Sequence, residues 1–153
     1  GKNLARKLSF SFIDIDKLIE DHEGCEIYKI FKNKSENYFR NLESKITLQE
    51  LNKKNLVISL GGGAFLNYSI RKAVKNKAIS FWLDVNSSIL IKRLKNTKKR
   101  PLLVGKNLSE TINKIYLERK RTYSEANFKI KCDRLKPDII TNKIIKLYKN
   151  AEN

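Results

Sequence analysis

The sequence predicts an α/β fold in which a parallel sheet lies between two layers of helices. Three observations carry this. Short apolar runs alternate with segments of helical periodicity along the whole chain. Two of the runs, Leu56 to Leu60 and Ala78 to Leu83, are apolar almost throughout, as strands covered on both faces are. The runs give way to Gly, Asp or Asn, residues that turn the chain and start the next helix. At 153 residues the chain is long enough for one domain with its own core.

Taken in order, Leu4-Ala5-x-x-Leu8 reads as the end of an amphipathic helix, and Ser9 to Ile13 as a strand running into Asp14-Ile15-Asp16. A helix begins at Asp16 with an acidic cap. Ile27 to Phe31 and Phe39 to Leu51 carry apolar residues at helical spacing. Leu56 to Leu60 is a buried strand that ends in Gly61-Gly62-Gly63. Asn67 caps a helix through Val74, Ala78 to Leu83 is the next strand, and Ser87 to Leu94 the next helix. Residues 96–108 are basic, contain Pro101 and Gly105 and lack periodicity, which predicts a loop. Ser109 caps a helix reaching about Ala126, Phe128 to Lys131 is a short strand, and Pro137 opens a last helix through Tyr148.

The net charge is +17, from 33 basic and 16 acidic residues. Such a field attracts polyanions. The basic residues are mostly Lys, spread along the whole chain, rather than the Arg that reads bases. An anionic small molecule is therefore the expected partner, with nucleic acid the rival reading. No apolar run approaches the ~20 residues of a membrane span, and no secretory signal opens the chain. Cys25 and Cys132 read as free thiols of a reducing compartment, and His22 as a solvated residue. A cytoplasmic monomer with no nucleic-acid or membrane partner is expected.

In a parallel sheet, ligands sit beyond the carboxyl ends of the strands. Asp14 and Asp16, the glycine triplet and Asp84 all fall there. Asp14-x-Asp16 alone reads equally as a working pair of carboxylates or as a helix cap plus a turn residue. The triplet is more specific, because a tight turn needs one glycine, whereas three let backbone N–H groups approach a ligand. Arg40 and Arg119, taken singly, are surface residues. Arg100-Pro101-Leu102-Leu103 is unusual for a basic loop, and a closing lid accounts for it.

Together these elements resemble shikimate kinase in order and spacing: Phe12-x-Asp14-x-Asp16, Ile27-x-x-Ile30-Phe31, Phe39-Arg40-x-x-Glu43, Gly61-Gly62-Gly63, Arg100-Pro101-Leu102-Leu103, and Glu118-Arg119-x-x-x-Tyr123-x-x-Ala126. The resemblance implies a three-layer α/β/α fold of the P-loop nucleoside-monophosphate-kinase type. It implies transfer of the ATP γ-phosphate to the 3-hydroxyl of shikimate, with Mg²⁺, on the route to chorismate and aromatic amino acids. Residues 1–153 would be a single kinase domain, with shikimate-binding helices over 16–50 and a lid over 96–108. Arg40 and Arg119 would hold the substrate carboxylate and Asp16 its ring hydroxyls, with Gly61, Gly62 and Gly63 offering backbone N–H groups. Asp14 would be the base or an indirect Mg²⁺ ligand, and Arg100 would close onto the ATP phosphates. A gluconate-kinase-like enzyme and a non-catalytic polyanion-binding protein are the alternatives.

Gly1-Lys2 resembles the tail of a phosphate-binding loop, yet Asn3 follows where Ser or Thr would meet Mg²⁺. Counting back from Asp14 places Gly1-Lys2 inside the helix after that loop. The resemblance therefore implies that the chain starts after the family's first strand and G-x-x-x-x-G-K-[ST] loop, with a gap in its sheet, weak or absent ATP binding and low stability. Asn127 stands where the family commonly has Asp.

Overall fold

Among the described residues every strand is four residues long, and both strand pairings are parallel. The computed structural model describes residues 1–94 and 107–152. Its elements are α1 (Lys2–Leu8), β1 (Ser11–Asp14), α2 (Ile15–Glu23), α3 (Ile27–Asn33), α4 (Glu36–Glu50), β2 (Leu56–Ser59), a 3₁₀ turn (Ala64–Leu66), α5 (Tyr68–Lys77), β3 (Phe81–Asp84), α6 (Ser87–Leu94), α7 (Leu108–Tyr123), β4 (Phe128–Lys131) and α8 (Pro137–Glu152). The predicted lid lies almost wholly outside the described residues.

Successive residues of a strand point to opposite faces, and β3 shows what covers each face. Phe81 joins Leu4 of α1 and Ile140 and Ile144 of α8 around Ile130. Its neighbour Trp82 meets Tyr123 of α7 edge-on. Helices thus cover both faces, as the alternating pattern predicts. A separate core of Ile15, Ile19, Ile30, Phe39 and Ile46 ties α2, α3 and α4 together.

The strands form two sheets of two, β1–β2 and β3–β4. Between β2 and β3 runs a slot of about 910 Å³, lined by Leu56, Ile58, Phe81 and Leu83 among others. The slot corrects the expectation that both central runs are fully buried: all four residues of β2 are half-buried and Leu83 is 49% exposed, because the slot opens beside them.

Local corrections concern element ends. Ser9 is not in a strand; its φ of 56° closes α1 in the left-handed region. The cap of α2 is Asp14 rather than Asp16, since Asp14 Oδ1 accepts the Asp16 and Lys17 N–H groups at 3.1 and 3.4 Å. Asn107, not Ser109, caps α7 in the same way. A cap one or two residues earlier is equally legible as an Asx pattern. Asn67 caps α5 as predicted, although that helix runs on to Lys77. Asn127 accepts from both the N–H and hydroxyl of Ser80, so the amide joins α7's exit to the start of β3.

Candidate active site

The glycine turn after β2 is the point where the predicted charged residues meet. Each of two glycines leaves room for a charged group. A methyl carbon on Gly61 would lie 2.4 Å from Asp16 Oδ1 and 2.8 Å from Glu43 Oε1. One on Gly63 would lie 2.3 Å from Arg40 Nη1. Gly63 has an ordinary φ of −107°, so here the requirement is space rather than backbone conformation. The Gly62 carbonyl faces α7 and accepts hydrogen bonds from Arg119 Nη1 and the Tyr123 hydroxyl.

Arg40 is positioned by its own helix. Glu43, one turn on, takes Nη1 at 2.8 Å, and Glu36, one turn back, takes Nη2 at 3.2 Å. Phe39 anchors this stretch of α4 in the core. Glu43 is 2% exposed, and its Oε1 has no hydrogen-bond partner among the described residues. Burial raises its carboxyl above the usual carboxylate value; Arg40 opposes this and the Asp16 charge adds to it. Glu43 belongs to the Phe39-Arg40-x-x-Glu43 pattern but has no role in the sequence reading. Its signal is the three-residue spacing from Arg40 on one helix face.

Asp16, Arg40, Gly61, Gly62, Gly63 and Arg119 are therefore brought together. Asp14 lies two residues before Asp16, at the end of β1, and one of its oxygens is engaged as the α2 cap. Asp84 is not part of the cluster: it is buried, accepts from Tyr116 at 3.0 Å and pairs with Lys129 at 3.1 Å. Arg100 lies outside the described residues. Chemically, two guanidinium groups beside two carboxylates and exposed backbone suit a ligand with an acid group and several hydroxyls.

Among the described residues no group of three or more His, Cys, Asp or Glu could hold a metal ion. That fits Mg²⁺ in one way only. Mg²⁺ keeps several waters and is often held through one carboxylate and the phosphates of its nucleotide, and Asp14 has an oxygen left for such a role. No helix among the described residues is long and apolar enough to cross a membrane.

The family model for shikimate kinase matches residues 1–149. The shikimate kinase of Sulfurihydrogenibium sp. is 43% identical over 145 residues, which are 95% of this chain and 86% of that protein. The structure of shikimate kinase from Acinetobacter baumannii in complex with shikimate superposes with a TM-score of 0.94 at 28% identity, over 99% of this chain and 85% of that one. That of Aquifex aeolicus shikimate kinase gives 0.85 at 34% identity, over 99% and 89%. The sheet, the glycine turn at its carboxyl edge and these matches define an ATP-dependent small-molecule kinase. The chain belongs to the shikimate kinase family.

Proposed function

We propose that the cluster around the glycine turn binds shikimate and presents its 3-hydroxyl to the γ-phosphate of ATP, giving shikimate 3-phosphate and ADP. The observation that carries this is the convergence of Asp16, Arg40 and Arg119 on Gly61-Gly62-Gly63. Arg40 and Arg119 pair with the carboxylate. Guanidinium forks match that group, and Arg40 keeps its plane through Glu36 and Glu43. Asp16 accepts ring hydroxyls.

Asp14, at the strand end beside Asp16, draws the proton from the attacking hydroxyl or holds a water of hydrated Mg²⁺. Bound Mg²⁺ supplies charge neutralisation on the phosphates. Arg100, by its place in Arg100-Pro101-Leu102-Leu103, is assigned to the phosphates as well. Phosphoryl transfer needs mainly alignment and neutralisation, and these residues supply both. The same reading makes ATP and shikimate the partners of a monomer in the cytoplasm.

Titration calorimetry with shikimate and with gluconate tests the reading. Binding of shikimate with little or no binding of gluconate is expected. Preference for gluconate would transfer the protein to the gluconate-kinase-like alternative.

A further inference from the structure

Tyr123 has no part in the chemistry assigned so far, yet its hydroxyl reaches the centre of the site. It donates to the Gly62 carbonyl, the same oxygen that takes Arg119 Nη1. A carbonyl has two lone pairs, so both are engaged from α7. The peptide is trans, and in a trans peptide C=O and N–H point opposite ways. Holding the Gly62 oxygen against α7 therefore aims the Gly63 N–H away from α7. Among the described residues no backbone carbonyl accepts that N–H. The Tyr123 ring is itself held edge-on between Phe65, centroids 6.3 Å apart, and Trp82, 5.9 Å apart.

We propose that Tyr123 is a positioning residue for the substrate: with Arg119 it locks the Gly62–Gly63 peptide, so that the Arg119 guanidinium and the Gly63 N–H meet the ligand as one rigid unit. Among the described residues one N–H of Arg119 is spent on Gly62, which leaves the rest of its five donors for an anion. The hydroxyl of Tyr123 supports this arrangement from the same helix. The inference rests on the glycine turn being the shikimate site.

The test uses the full chain and Tyr123→Phe, which keeps the ring between Phe65 and Trp82 and removes only the hydroxyl. By calorimetry the Kd for shikimate should rise about five- to tenfold, the worth of one hydrogen bond. The thermal midpoint should stay within about 3 °C. Arg119→Ala should weaken binding less in the Tyr123→Phe background than alone, because both side chains hold one carbonyl. An unchanged Kd in Tyr123→Phe, with or without a fall in melting temperature, would assign the tyrosine a structural role only, provided Arg40→Ala still weakens binding. Additive effects of the two substitutions would likewise overturn the proposal. If instead the unsubstituted chain and Arg40→Ala bind shikimate equally, it is the site itself that is misplaced.

Discussion

The guanidinium of Arg40 occupies the space that a side chain on Gly63 would need. This contact joins α4 to the glycine turn after β2. It explains why a third glycine stands in the turn although its φ of −107° suits any residue.

Gly63→Ala should therefore act on the ligand rather than on the backbone. The new methyl would lie 2.3 Å from Arg40 Nη1 and push the guanidinium off its position. Shikimate affinity should fall by at least about tenfold, while stability falls by about 1 kcal/mol or less, since the displaced atoms end a flexible side chain. Calorimetry and urea titration on the same sample check both.

Arg40→Ala should weaken shikimate binding by about 2 kcal/mol or more, the range for truncating one partner of a hydrogen-bonded charge pair. It should also destabilise the fold by about 1–3 kcal/mol, because Glu43 is left buried without its partner. The double substitution Arg40→Ala with Glu43→Gln should restore much of the stability and none of the binding. Parallel recovery of both would show that Arg40 acts only as a structural partner of Glu43.

Glu43 gives a pH prediction with a definite sign. Burial, opposed by Arg40 and reinforced by Asp16, holds its folded-state carboxyl above the usual value, so the native state binds its proton more tightly than the unfolded chain does. The stability it contributes is complete below the ordinary carboxylate range and is lost as pH rises through its own raised value. Glu43→Gln cannot ionise. Over that window the stability of the original chain, relative to Glu43→Gln, should fall as pH rises. Denaturant titrations of the pair at a series of pH values measure it.

Asp14 caps α2, and the proposed function gives it a second task, which substitution can separate from the first. Asparagine caps a helix as well as aspartate does, so Asp14→Asn should keep the melting temperature and lower kcat for phosphoryl transfer by about 10²-fold or more, the worth of a general base. Asp14→Ala should lose both, with about 1 kcal/mol less stability. An unaltered kcat in Asp14→Asn would leave Asp14 as a cap alone.

Much of this was legible in the chain because it depends on local chemistry. Alternating strands and helices, the Asn67 cap and the glycine turn follow from periodicity and turn residues near in sequence. The sequence pattern puts the cap of α2 two residues late because Asp14 and Asp16 are chemically alike and only the backbone direction chooses between them. Arg40 and Arg119, taken singly, read as solvated residues. Their meeting at the glycine turn joins α4, β2 and α7, far apart in sequence, and only the family pattern linked them. Arg40, the partner of Glu43, is one helical turn away and legible as a pair, but the burial of Glu43 is not, and the partner of Tyr123, the Gly62 carbonyl, lies 61 residues off, outside any local window.

The central claim is that Arg40 and Arg119 recognise a carboxylate at the glycine turn. Calorimetric titration of the chain with shikimate and with shikimate methyl ester tests it most directly, since the ester removes that charge and adds only a methyl group. The ester should bind at least about tenfold more weakly, matching the loss of a charged hydrogen-bonded pair. Equal affinity for acid and ester would contradict the account.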